Sequence, residues 1–188
     1  MYVSNGNLKI DKACKVFSLP SSICFGEGNQ CKGCYALKSE KRFKETVVNS
    51  RNGNLKFTLS DTFILKMNVM LKFTKKRLFR IHESGDFYSQ NYVNKWLEIA
   101  LDNPMINFYG YSKKFDKLDF SKINTLPNVN IINSIPHGML NYGNLEYCNY
   151  LVKKHKFTLC PCGIDEKISC MKDCKLCLTV DRVCFLEH

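Results

Sequence analysis

From residue 78 onward the chain alternates short apolar runs with longer segments that carry a helical stripe. Leu78-Phe-Arg-Ile81 reads as a strand and runs into His82-Glu-Ser-Gly-Asp86. Ser89 is placed to cap a helix whose apolar positions Tyr92, Val93, Trp96, Leu97, Ala100 and Leu101 form one stripe. Asn103-Pro104 stops that helix, because proline lacks an N–H and disfavours helical backbone in the residue before it. Ile106-Asn-Phe-Tyr109 begins the next strand, which ends at Tyr111-Ser112-Lys113 and leads to a short helix around Phe115 to Ile123. Val129-Asn-Ile-Ile132 is a third strand, followed by Asn133-Ser-Ile-Pro-His-Gly138. Asn144 to His155 reads as a helix with Leu145, Cys148, Leu151 and Val152 inward, and Phe157-Thr-Leu159 as a fourth strand meeting Cys160.

The earlier part of the chain is less regular. Lys15 to Leu19 suits a strand, and Pro20-Ser-Ser22 a turn. Tyr35 to about Ser50 reads as a basic helix with a thin stripe of Leu37, Phe43 and Val47, and Asn52-Gly53-Asn54 is a turn signal. Ser60 or Asp61 is placed to cap a helix with Phe63, Ile64, Met67, Met70 and Leu71 on one face. Strands separated by helices describe consecutive βα units with a parallel sheet. A complete eight-unit barrel takes about 250 residues, so these 188 residues predict an α/β fold: a single-domain partial (β/α) barrel or a small parallel sheet with helices. Residues 1–58 would hold a cysteine loop and first helix, 59–159 the βα units, and 160–188 a cysteine-rich tail.

Eleven cysteines change the picture. Cys24, Cys31 and Cys34 lie in a loop with glycines at 26, 28 and 33, and Cys160, Cys162, Cys170, Cys174, Cys177 and Cys184 crowd into the tail. The opening residues show no secretory pattern, so a reducing, cytoplasmic setting in the host cell is expected, where clustered cysteines read as metal ligands before disulfides. Thiolates favour zinc, copper(I) and iron–sulfur clusters. Cys24, Cys31, Cys34, Cys160, Cys162, Cys170, Cys174 and Cys177 are therefore the candidate ligands, while Cys14 and Cys148 read as small buried apolar residues. The apolar stretch Phe63 to Phe73 is broken by Lys66, Asn68 and Lys72, so no membrane span is expected. A net charge of +11 suits contact with nucleic acid, though scattered lysines suit a solvated surface equally well. Oligomeric state is left open.

In parallel α/β folds, working residues gather at the C-terminal ends of the strands. Those ends carry His82, Ser84, Gly85 and Asp86, then Tyr109 and Tyr111, then His137, then Cys160. His82, Asp86, Tyr111 and His137 are the candidate catalytic residues. Each has a plain structural role open to it: a hydrogen-bonded histidine, a turn carboxylate, packing tyrosines, an exposed loop.

Cys31-Lys-Gly-Cys-Tyr-Ala36, Arg80-Ile-His-Glu-Ser-Gly-Asp-Phe-Tyr88 with Trp96 downstream, Phe108-Tyr-Gly-Tyr-Ser112 and the terminal Cys160, Cys170, Cys174-x2-Cys177 together resemble the phage and plasmid gene product 88 family. The resemblance implies an intracellular protein of a mobile genetic element with a cysteine-bound metal centre. More distantly, a cysteine triplet before βα units and a cysteine-rich tail are similar to the radical S-adenosylmethionine superfamily. That likeness implies a [4Fe–4S] cluster on Cys24, Cys31 and Cys34 with one iron open to S-adenosylmethionine, and Ser84-Gly85-Asp86 contacting the cofactor's amino group. The triplet here is C-x6-C-x2-C where that superfamily has C-x3-C-x2-C. Three readings follow: an iron–sulfur protein with one or two clusters, a zinc-stabilised nucleic-acid-binding module, and a closed cluster joining the two cysteine groups.

Overall fold

The computed structural model describes residues 1–6, 14–24, 34–134, 145–165, 167–168 and 170–185, and within it the apolar runs pair into one seven-stranded sheet. The strands are β1 (Val3–Asn5), β2 (Cys14–Phe17), β3 (Leu78–Ile81), β4 (Asn107–Ser112), β5 (Val129–Ser134), β6 (Thr158–Leu159) and β7 (Arg182–Cys184). Their order is β1-β2-β3-β4-β5-β7-β6, with β1 antiparallel to β2 and every other pair parallel. The helices are α1 (Tyr35–Arg42), α2 (Asn49–Thr58), α3 (Phe63–Lys72), α4 (Gln90–Asp102) and α5 (Leu145–His155).

Side chains alternate across a strand, so each strand feeds two faces. One face carries Phe17, Phe79, Ile81, Phe108 and Ile131 into the main core, where they meet Phe63, Met67 and Leu71 of α3 and Tyr92, Val93, Trp96, Ile99 and Ala100 of α4. Trp96 is the hub, with the rings of Phe17, Phe63 and Phe79 each 5.7 Å from its own. We call this the helix face. The opposite face carries Cys14, Val16, Tyr109, Ile132 and Val183, and the segment containing Cys160, Cys162 and Cys177 lies over it. This second face, the tail face, is covered by cysteines where the first is covered by helices.

Five local expectations are corrected. Asn52-Gly53-Asn54 is not a turn; it lies inside α2. The reason is tertiary: Asn54 bonds the backbone N–H and carbonyl of Tyr2 at 2.7 and 2.8 Å and the Ser18 carbonyl at 3.0 Å, and Gly53 leaves room for the Tyr2 ring. The basic helix from Tyr35 is interrupted by a wide π turn at Lys44–Val48, next to which Arg51 reaches back to the Ala36 carbonyl and pairs with Glu40 at 2.8 Å. No helix forms over Phe115 to Ile123; turns lead instead to one 3-10 turn at Ile123–Thr125. In α5 only Cys148 and Leu151 are buried, whereas Leu145 and Val152 are exposed. The stripe of α4 is as expected except that Leu101 is exposed and Ile99 takes the buried place, and the Ser89 hydroxyl accepts the Tyr92 N–H as its cap.

Candidate functional site

Because β2 to β7 run parallel, their C-terminal ends share one edge of the sheet. That edge carries Cys24 beyond β2, His82 to Asp86 beyond β3, and Cys160 beyond β6. The strand ends thus share one edge, as parallel pairing requires, though five strand steps separate Cys24 from Cys160; His137 and Cys31 lie outside the described residues.

The β3 end is tightly built. His82 has φ 65°, a left-handed backbone that breaks the alternation of the strand. Its ring therefore turns to the helix face, stacking on Tyr92 and lying edge-on to Phe87, with Nε2 2.9 Å from the Tyr92 hydroxyl. Burial, with Lys114 and Arg80 adding repulsion, lowers the imidazole to about 3, so it is neutral at physiological pH. His82 Nδ1 and the Ser84 hydroxyl are buried without a hydrogen-bond partner among the described residues. Asp86 is 3% exposed and accepts the Phe87 N–H at 2.7 Å, the Ser112 hydroxyl at 2.8 Å and the Lys113 N–H at 3.0 Å. Burial raises its carboxyl, against those three bonds, which lower it. The Asp86 carboxyl thus clamps the end of β3 to the end of β4. Gly85, at φ 81°, lies against Leu19, whose N–H bonds the Ser84 carbonyl at 2.8 Å.

The tail face holds the other half of the site. Parallel register aligns Val16, Arg80, Tyr109 and Asn130 in one row across β2 to β5, with Tyr111 and Ile132 in the row beyond. The Arg80 guanidinium lies over the Tyr111 ring, 5.2 Å from its centroid, and its Nε–H donates to the His82 carbonyl at 3.3 Å. Tyr111 donates to the Cys177 sulfur at 2.7 Å, and the Tyr109 hydroxyl is 3.9 Å from Cys14 Sγ. Tyr35, at the start of α1, donates to the Glu83 carbonyl. Burial raises the Tyr35 phenol; Arg80 pulls it back, and Glu83, Cys34 and Cys24 add to the rise. Both described cysteines of the loop therefore stand near the Tyr35–Arg80 pair. Arg80 and Tyr35 had only a place in family motifs and no site role of their own, and Cys14 was expected, and is found, as a buried apolar residue. A cation inside the apolar run Leu78-Phe-Arg-Ile81, in phase with Tyr109 and Tyr111, was the available signal.

The tail cysteines gather over the same face. Cys160, Cys162 and Cys177 are buried there, with Cys170 and Cys174 packed against them. Burial, a bond to Cys170, and the neighbouring Cys170, Cys160 and Cys174 all push the Cys162 thiol up. Burial pushes Cys177 up to about 11, against the Tyr111 bond, with Cys160, Cys170 and Cys174 adding to the rise. Asn130 Nδ2 fastens the segment by donating to the Cys177 and Val180 carbonyls, each at 3.0 Å. Cys184 sits apart on the helix face with Cys148 of α5; burial and that neighbour push it up to about 12. Among the described residues no group of three or more His, Cys, Asp or Glu side chains is arranged to hold a metal ion, so the five gathered thiols are a donor set without a coordination shell.

The family model for Gene product 88 matches residues 2–179. The chain belongs to the Gene product 88 family. Gene 88 protein of Mycobacterium phage L5 is 36% identical over 107 residues, covering 52% of this chain and 43% of that protein. Gene 88 protein of Mycobacterium phage D29 is 35% identical with the same coverage. The aligned part of the chain thus spans less than half the length of these two relatives. No solved structure matches the chain. Family membership, a mixed α/β fold with a mostly parallel sheet, and the absence among the described residues of any helix long and apolar enough to cross a membrane agree with the sequence reading.

Proposed function

We propose that this Gene product 88 chain is a thiolate-metal protein, best read as an iron–sulfur protein with its cysteines in two groups. The observation that carries the reading is the gathering of Cys160, Cys162, Cys170, Cys174 and Cys177 over the tail face of the sheet. Thiols crowded this closely raise one another's pKa, and a cation that binds their deprotonated forms relieves that repulsion. Four of the five would close a site. Tyr111, which donates to the Cys177 sulfur, would serve as an outer hydrogen bond to a ligand thiolate.

Cys24 and Cys34, with Cys31, would form the second group, at the edge beside Tyr35 and Arg80. Cys24 follows β2 and Cys160 follows β6, five strand steps apart in the sheet. At about 4.8 Å per step this is ~24 Å along a flat sheet, with Tyr35, Arg80 and Tyr111 between. That spacing disfavours Cys160 as a thiol closing the loop group, whereas Cys177, against Tyr111 of β4, stands only two strand steps from β2. Three thiolates on a [4Fe–4S] cluster leave one iron open, and a cluster of that kind supplies one-electron chemistry to S-adenosylmethionine. In that reading Ser84, whose buried hydroxyl has no partner among the described residues, faces the cofactor, while Asp86, already holding three bonds, keeps the β3 end in place.

Metal and sulfide analysis of anaerobically purified protein tests the proposal. The expected result is a brown protein with about eight irons per chain for two clusters, or about four for one. Replacing Cys170 and Cys174 with serine should remove the tail metal and leave the loop metal. Colourless protein with stoichiometric zinc would sink the iron–sulfur reading, and protein with neither metal would sink both.

A zinc-stabilised nucleic-acid module is the second reading. The net charge of +11 favours it, as does the finding of one side-chain ion pair, Arg51–Glu40, among the described residues. It predicts affinity for DNA or RNA that falls steeply between 50 and 200 mM salt. No retention on either nucleic acid at low salt would remove it.

A further inference from the structure

We infer that Arg80 is the anchor of a binding site for a small monoanionic carboxylate, at the junction of the tail face and the C-terminal edge of the sheet. The inference does not depend on which metal the cysteines hold. Arg80 sits one residue before the end of β3, and its guanidinium is fixed from two sides. Its Nε–H is tied to the His82 carbonyl at 3.3 Å, and its plane lies over the Tyr111 ring. The two terminal nitrogens, the prongs of the fork, make no hydrogen bond or ion pair among the described residues. Glu83 is near enough to act on Arg80 electrostatically but forms no ion pair with it.

A half-buried guanidinium held in place with its fork unused is a costly arrangement unless something completes it, because withdrawing a charge from water is offset only by partners. The fork matches two oxygens in a plane, the geometry of a carboxylate. The phenols around it are committed elsewhere: Tyr111 to Cys177, Tyr35 to the Glu83 carbonyl, and Tyr109 beside Cys14. They leave ring faces and edges as walls and leave the charge of Arg80 to the incoming group. One cation with Glu83 nearby suits a monoanion better than a phosphate dianion. The site lies beside Tyr35, near enough to Cys24 and Cys34 for both to raise its phenol.

The test is titration of the protein as purified with acetate and, separately, with inorganic phosphate, at constant ionic strength set with chloride. The readouts are tyrosine near-ultraviolet circular dichroism and the Arg80 guanidinium ¹⁵N resonances. Saturable perturbation of those resonances by acetate, tighter than by phosphate, is expected in the unaltered chain, so the result does not depend on any variant folding. Arg80→Lys keeps the charge and removes the fork; acetate binding should weaken tenfold or more. Absence of a saturable acetate response, or equal affinity in Arg80→Lys with an unchanged dichroism spectrum, overturns the site. Tighter phosphate binding overturns the carboxylate assignment.

Discussion

Gly85→Ala is expected to destabilise the protein by about 2–5 kcal/mol, a figure built from a left-handed backbone penalty of about 1–2 kcal/mol and an overpacking cost of about 1–3 kcal/mol. At φ 81° an alanine is strained before it meets any neighbour. A Cβ there would also lie 2.5 Å from Leu19 Cβ and 3.1 Å from Leu19 Cα and carbonyl carbon. None of those atoms is the end of a flexible side chain, and Leu19 is pinned by its N–H bond to the Ser84 carbonyl at 2.8 Å. Relief therefore requires parting the β3 end from the strand that leads to the cysteine loop. Urea denaturation of the variant measures the cost. A double-mutant cycle with Leu19→Gly should show strong coupling, since only removal of the Leu19 Cβ opens the space. A loss under 1 kcal/mol, or additive effects, would show that the loop has room to move.

Acid should weaken the fold through His82, with an onset well above the carboxylate range. Its folded-state pKa, lowered to about 3, lies below its ordinary value near 6.5. Between those two values the unfolded chain binds the proton and the folded chain does not, so the contribution is complete above pH ~6.5 and is lost as pH falls toward 3. The slope is about 1.4 kcal/mol per pH unit, so lowering pH from 6.5 to 5 should cost roughly 2 kcal/mol from this residue alone. His82→Asn is the informative variant, because asparagine tolerates the left-handed backbone and does not titrate. Stability measured at steps from pH 4.5 to 7.5 should show the variant's slope reduced by one proton's worth below pH 6.5. Parallel slopes in the two proteins would falsify the assignment of this proton to His82.

These outcomes bear on what could be read from the chain alone. The strands from Leu78 to Ile132 and the helix from Gln90 were legible because apolar spacing and a Ser89 cap agree with the packing they serve. What escaped reading is set by distant partners. Asn54 continues a helix through a turn signal because it holds Tyr2 and Ser18, residues far away in the chain. The short strands Val3–Asn5 and Arg182–Cys184 carry too few residues to show alternation and are strands only because a neighbour is waiting. At the site, the convergence of strand ends was legible; the turn of His82 to the helix face was not, because a backbone sign at one residue decides it. Arg80 was overlooked because one cation in an apolar run has no visible meaning until register sets it among Tyr109, Tyr111 and Val16.

The place of β7 has a consequence for the order of assembly. β6 is made first, yet its described neighbour in the sheet is β7, which lies between it and β5. As the chain leaves the ribosome, Thr158–Leu159 has no strand to join until Arg182–Cys184 has emerged and slotted in. Until then the segment from Cys160 to Cys177 has only its contacts to β4 and β5, such as the Tyr111 and Asn130 bonds to Cys177, to hold it on the sheet. On the thiolate-metal reading, a cation would reach these cysteines most readily before Arg182-Val183-Cys184 completes the sheet.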